Sequence, residues 1–285
     1  MARIVYVNGE YLAEHDAKIS VFDRGFLFAD GVYEVTPVLN GKLVENEGHL
    51  ERLQRSLGEL NMKSPGTSQD IEAIQKEIIT RNDVKEGAIY LQVTRGAAER
   101  DFPFPQDIEP SLVMFSLHKN LLESPAAAKG ISVVTVPDIR WQRRDIKTVS
   151  LLAQAMAKQA ALDAGADDAW MVEDGYITEG SSNNAFIVTK DGKLVTRDLS
   201  NSILHGITRR SILEIARREG IEIEERAFTP EEAYDAVEAF STSASSFAMP
   251  VVRIDDRILS NGGPGELTTK IRKLYIEMML ESVAD

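Results

Sequence analysis

Four tight-turn dipeptides, each set between two short apolar runs, constrain this chain more than any other feature. Asn8-Gly9 separates residues 4–7 from 10–12, and Asn40-Gly41 separates 32–39 from 42–44. Asp174-Gly175 and Asp191-Gly192 do the same between 169–173 and 176–179, and between 185–188 and 194–196. Asn-Gly and Asp-Gly accept positive φ at both central positions of a two-residue loop, so each folds its flanking strands back antiparallel. Such turns in both halves of the chain predict antiparallel hairpins throughout. They argue against a doubly wound parallel sheet, whose strands are joined by long crossovers.

Helical patterns lie between the hairpins. Leu50, Leu53, Leu57 and Leu60 recur at helical spacing. Ser68 is positioned to cap a second helix in which Ile71, Ile74 and Ile78 share a face. Residues 88–94 and 112–117 read as buried strands. The stretch 122–130, with Ser-Pro, alanines and a glycine, is the expected linker; a plain surface loop is the alternative. Beyond it come a strand at 131–136 and an alanine-rich helix at 151–164 closed by Gly165. Ile212, Leu213, Ile215 and Ala216 sit on a helix ended by Gly220, and Thr229-Pro230-Glu231-Glu232 forms a capping box. A helix over 267–280 closes the chain. The expectation is an α+β protein with mixed or antiparallel sheets and flanking helices: a small domain over 1–121, a linker over 122–130 and a large domain over 131–285.

Composition narrows the chemistry. The net charge of −13 disfavours nucleic acid and anionic membrane surfaces as partners. With no cysteine, disulfides, zinc–thiolate sites and cysteine nucleophiles are excluded. The four histidines have no metal-ligand spacing, so no metal is expected. No run of about 18 apolar residues occurs, and MARIVYVNGEYL is too polar for a signal peptide. A cytoplasmic, metal-free protein is the expectation.

Three segments are candidates for chemistry. Leu204-His205-Gly206-Ile207-Thr208 runs into a helix, whose free first-turn N–H groups would face an anion there. Residues 178–184, TEGSSNN, interrupt strand patterns with one carboxylate, Glu179, beside a glycine and two hydroxyls. Asp145-Ile146-Lys147 offers an amine next to an apolar residue, a setting that suits a covalent lysine. Taken singly, each has a plain reading as an N-cap, a solvated turn and a surface lysine.

Together they match a pattern. Asp23-Arg24-Gly25-Phe26 with Asp30-Gly31-Val32-Tyr33-Glu34, His49-Leu50-Glu51-Arg52-Leu53, Gln92-Val93-Thr94-Arg95-Gly96, Asp138-Ile139-Arg140-Trp141 with Asp145-Ile146-Lys147, residues 178–183, and Gly206-Ile207-Thr208-Arg209 fall in order along nearly the whole chain. In this the chain resembles the fold-type IV enzymes that use pyridoxal 5′-phosphate (PLP), most of all their D-amino-acid aminotransferases. The resemblance implies the two-domain fold of that group and transfer of an amino group from a D-amino acid to a 2-oxo acid, 2-oxoglutarate or pyruvate, by a ping-pong course. It implies that Lys147 is the Schiff-base lysine and proton carrier, with Glu179 pairing the protonated pyridine nitrogen. Arg52, with the backbone of Gly206, Ile207 and Thr208, would hold the phosphate. Leu204 would pack on the ring, while Ser181, Ser182 and Asn183 line the site. Tyr33 and Arg100 would trap the substrate carboxylate, the arginine reaching in from the second subunit of a homodimer whose active sites lie at the subunit interface. Related activities with the same implied site are (R)-selective amine transamination, branched-chain L-amino-acid transamination and an aminodeoxychorismate-type lyase.

Two positions depart from the resemblance. Phe102 stands where a histidine is usual beside the carboxylate-binding arginine, and it donates no hydrogen bond. Ala244 stands where a hydroxyl is usual on the phosphate side, leaving Ser243 to serve.

Overall fold

The computed structural model describes residues 2–284. The chain divides into two compact units. One holds the chain through Asn120 together with Ile146–Ser150 and the residues from Ser282; the other holds Leu121–Asp145 and Leu151–Glu281.

The first unit comprises β1 (Ile4–Val7), β2 (Glu10–Ala13), α1 (Arg24–Phe28), β3 (Gly31–Leu39), β4 (Lys42–Leu43), α2 (Asn46–Glu59), α3 (Ser68–Arg81), β5 (Gly87–Thr94) and β6 (Ser111–His118). Its six strands form one sheet in the order β2-β1-β6-β5-β3-β4, antiparallel at every pairing. Both Asn-Gly turns join paired strands, as their conformational preference requires. Leu50, Leu53 and Leu57 of α2 are buried with Val32, Leu91, Val93 and Met114, and Ile146 joins this core from beyond Asn120. Thr67, rather than Ser68, caps α3. From Thr67 the third helical residue is Asp70, whose carboxylate accepts a bond from the Thr67 N–H and closes a capping box that Ser68 lacks.

The second unit comprises α4 (Pro125–Lys129), β7 (Ile131–Pro137), α5 (Leu152–Asp163), β8 (Asp168–Glu173), β9 (Tyr176–Gly180), β10 (Asn184–Val188), β11 (Leu194–Thr196), α6 (Ile207–Arg218), β12 (Ile223–Glu225), α7 (Pro230–Tyr234), β13 (Glu238–Ser243), β14 (Phe247–Ile254), β15 (Arg257–Ile258) and α8 (Glu266–Ser282). Its sheet runs β12-β11-β10-β13-β14-β7-β8-β9, with β15 on β14. Three of the pairings are parallel (β11/β12, β14/β7 and β7/β8) and the others antiparallel, so the sheet is mixed. The stretch read as a linker is not irregular: Ser124 caps the Ala127 N–H and Pro125 opens α4. Ser-Pro there is a helix start, the other structure that dipeptide favours. Gly130 then lies so close to Val252 that a Cβ would stand 2.2 Å from its Cγ1. No helix among the described residues is long and apolar enough to cross a membrane.

Candidate active site

In the first unit, the chain around Lys147 is sewn to the start of β3. Ile146 is buried in the core, Thr148 bridges Val32, and the Tyr33 N–H donates to the Lys147 carbonyl at 3.0 Å. Val149 N–H donates to the Gly31 carbonyl at 3.0 Å. With Ile146 turned inward, the Lys147 side chain lies on the sheet face that carries Tyr33, its Nζ 4.2 Å from the ring centroid. That is cation–π range. The sequence pattern alone allowed a surface lysine; the structure instead puts its half-buried amine on an aromatic surface.

Beside it on β3, Glu34 is buried and accepts from Arg52 Nε at 2.8 Å, Arg52 Nη2 at 2.7 Å and His49 Nδ1 at 2.8 Å. Burial alone would raise the Glu34 carboxyl. The Arg52 charge and hydrogen bonds, with those of His49, outweigh it and lower the carboxyl to about 2. Burial pushes the His49 imidazole down, against the pull of Glu34. Arg52, expected to hold a phosphate, gives its Nε and Nη2 to Glu34.

This cluster has a pH signature. Glu34 folds with its carboxyl lowered from 4.5 to about 2, so its contribution of about 3 kcal/mol is complete above pH 4.5 and disappears as pH falls through 2. His49, lowered from 6.5, acts in the same sense, its contribution being complete above 6.5 and lost as pH falls. The urea midpoint of the wild type should drop as pH falls from 5 toward 3. Glu34→Gln should lose the carboxylate component of that drop, and at pH 7 it should be about 3–5 kcal/mol less stable, because a buried guanidinium has lost its counter-charge. A Glu34→Gln profile parallel to the wild type would contradict this.

In the second unit, Glu179 on β9 is buried and surrounded by donors: Arg140 Nη1 at 2.5 Å, Asn184 Nδ2 at 2.9 Å and the Leu204 N–H at 3.1 and 3.2 Å. Arg140 is itself held by Asp138, Nε to Oδ1 at 2.9 Å and Nη2 to Oδ2 at 2.7 Å, and Thr178 Oγ1 donates to the same Oδ2. Burial pushes the Glu179 carboxyl up, while Arg140 and the Leu204 N–H pull the other way. Burial would lower Arg140, but the charges of Glu179 and Asp138 prevail and raise it. The result is a carboxylate fixed in place by a guanidinium.

Next to it is the start of α6. Asn184 Nδ2 also donates to the Leu204 carbonyl at 3.0 Å, and its Oδ1 lies where a Cβ on Gly206 would stand only 2.1 Å away. Glycine is required at 206 by close approach, since its φ of −65° is open to any residue. Gly206 is the N-cap of α6, with no side-chain cap bond to the N–H groups that follow. The Thr208 and Thr242 hydroxyls are buried and have no hydrogen-bond partner among the described residues. A buried unsatisfied hydroxyl costs about 1–3 kcal/mol. Thr208 lies in the first turn of α6, where free N–H groups favour an oxyanion, and Thr242 lies opposite Asn184 in the β10/β13 register.

Other expected residues have neighbours of their own. Ser181 Oγ donates to Asp168 Oδ1 at 2.5 Å and Asn183 Nδ2 to Asp168 Oδ2 at 2.8 Å, so both brace Asp168, while Ser182 is exposed. Ser243 Oγ pairs with Ser246 Oγ at 2.7 Å, and Ala244 lies in the following turn. Leu204 contributes its N–H to Glu179. Arg100 is exposed, its guanidinium carbon 5.2 Å from the Phe28 ring and 5.6 Å from the Phe102 ring. Phe102 is 75% exposed. Arg140, Asp138, Asn184 and Thr242 were given no role by the sequence reading. Strand alternation held a clue to Thr242, which lies opposite Asn184 in the β10/β13 register.

Residues 31–254 match the Amino-transferase class IV family. This chain belongs to the class IV aminotransferases. Among curated relatives, the D-alanine aminotransferase of Staphylococcus aureus (strain N315) is 36% identical over 98% of both chains. That of Bacillus licheniformis is 33% identical over the same share of both. Among solved structures, the branched-chain aminotransferase of the thermophilic archaeon Thermoproteus uzoniensis with norvaline superposes with a TM-score of 0.90 at 26% identity, covering 99% of this chain and 96% of that one. As a class IV aminotransferase the chain has the α+β architecture with mixed and antiparallel sheets expected of it.

Proposed function

We propose that this aminotransferase uses pyridoxal 5′-phosphate to move an amino group from a D-amino acid to 2-oxoglutarate or pyruvate, as a cytoplasmic homodimer. The observation that carries the reading is identity of 33–36% to D-alanine aminotransferases over 98% of the chain. The residues fit the cofactor: an amine on an aromatic face, a fixed carboxylate for a ring nitrogen, and a helix start with two unsatisfied hydroxyls for a phosphate.

When bound, the cofactor supplies an electron sink that lets a Cα–H bond ionise. The protein supplies the rest. Lys147 Nζ would hold the cofactor aldehyde, and the same amine is the base placed to take and return the substrate Cα proton. Glu179, its position fixed by Arg140, Asn184 and the Leu204 N–H, would accept the ring N–H and favour its protonated form. The Ile207 and Thr208 N–H groups, the Thr208 hydroxyl and Arg52 would hold the phosphate, and the Thr242 hydroxyl would serve with Ser243 and Ala244. Tyr33 and Arg100 receive the substrate carboxylate. Arg100 is exposed, its guanidinium against the Phe28 and Phe102 rings, a placement that suits delivery to a second subunit.

A half-reaction screen tests the reading, following the cofactor absorbance with each donor alone. D-Alanine should discharge it, while L-leucine and (R)-1-phenylethylamine should be at least about tenfold slower. The likeness to branched-chain enzymes makes L-leucine the informative rival, and faster reaction with it would replace this reading. Pyruvate release without an acceptor would point to a lyase.

A further inference from the structure

We propose that Gln92 is a specificity-determining residue for the amino donor, its side-chain amide donating to the donor's carboxylate alongside the Tyr33 hydroxyl. This rests on the reading of Lys147 as the reacting amine. Gln92 lies directly opposite Tyr33 in the β3/β5 register, so the two side chains leave the same face of the sheet as neighbours. The Lys147 amine stands over the Tyr33 ring on that face, 4.2 Å from its centroid.

The amide of Gln92 is aimed. Tyr90, two residues earlier and therefore on the same face, donates its hydroxyl to Gln92 Oε1 at 2.7 Å. With the carbonyl end fixed, the NH2 end points away from Tyr90. Tyr90 is itself immobilised between two rings, Tyr33 at 5.7 Å and Phe115 at 4.7 Å, both stacked. Burial, with the neighbouring Tyr33, pushes the Tyr90 phenol up to about 12, so it remains a donor throughout the neutral range. Among the described residues, neither Gln92 Nε2 nor the Tyr33 hydroxyl has a hydrogen-bond partner. Val35 and Val113 flank the pair on the same face. Two unspent donors on an apolar floor beside a reacting amine form a receptor for a small carboxylate. Phe102 offers no donor of its own.

The test compares wild type, Gln92→Leu and Tyr90→Phe as loaded enzymes. Propionate, a carboxylate without an amine, is titrated against the cofactor absorbance; D-alanine and (R)-1-phenylethylamine are used as donors. Gln92→Leu should raise the propionate Kd and the D-alanine KM at least about tenfold, and leave cofactor retention and the amine KM within about twofold. Tyr90→Phe, which frees the amide to turn, should shift the same two constants by about threefold. An unchanged propionate Kd in Gln92→Leu would overturn the proposal, as would equal losses with D-alanine and the amine. Should Gln92→Leu fail to fold, an unchanged Kd in Tyr90→Phe would overturn it as well. If the wild type ignores D-alanine while propionate binding still depends on Gln92, the D-amino-acid reading falls and the carboxylate site stands.

Discussion

Lys147→Ala should lower transamination by about 10⁴-fold or more while leaving the fold intact. The substitution removes both a covalent anchor and the base that moves the Cα proton, and general acid–base catalysis alone accounts for about 10²–10⁴. Little stability depends on the side chain. Its contact with Tyr33 is a partly exposed cation–π interaction worth about 0.5–1 kcal/mol. The backbone bonds to Tyr33 and, at 3.4 Å, to the Ser56 hydroxyl survive the change. Single-turnover kinetics with D-alanine and a thermal melt read the two halves of this expectation. Activity within about tenfold of the wild type would remove Lys147 from the reaction.

Glu179→Gln should reduce kcat by about 10²–10³, more than it reduces cofactor affinity. The amide is nearly the shape of the carboxylate and its oxygen can still accept from Arg140 or the Leu204 N–H. A neutral amide, however, does not hold a proton on a ring nitrogen, and the electron sink weakens. The structural penalty is limited because Arg140 retains Asp138 as a counter-charge, so a loss of about 1–3 kcal/mol is expected. Steady-state kinetics and cofactor retention on gel filtration distinguish the outcomes. A variant that loses its cofactor but turns over normally when PLP is in excess would show that Glu179 only binds.

How much of this was legible in the sequence depends on the range of the interaction. The Asn-Gly turns and Asp174-Gly175 set their hairpins through local φ preferences, whereas Asp191-Gly192 lies in the longer loop 189–193 with positive φ at Gly192 but not Asp191; the Thr229 capping box formed as spaced. Local signals also failed by small steps. Thr67 took the cap from Ser68 because only Thr67 has an acid at the third helical position. Ser124-Pro125 opened a helix where a linker was expected. Hydrogen-bond partners were the least legible. Ser181 and Asn183 belong to Asp168, a residue on the neighbouring strand that no short motif connects to them. Arg52 is bound to Glu34, 18 residues away, and the hydroxyl without a partner beside Ser243 is that of Thr242, which no motif singled out. Such choices are made by sheet register, which a residue string does not display. Lys147, Glu179, Gly206 and Thr208 were singled out only by the order of several segments taken together, since each segment alone has a plain structural reading.

All of the chemistry above requires that one amine, that of Lys147, carries the cofactor. Borohydride reduction of the PLP-loaded protein, followed by proteolysis and mass spectrometry, reads that site directly. The pyridoxyl mass is expected on the peptide containing Lys147 and on no other. A pyridoxyl group fixed to a different lysine, or a cofactor that washes away unreduced, would contradict it.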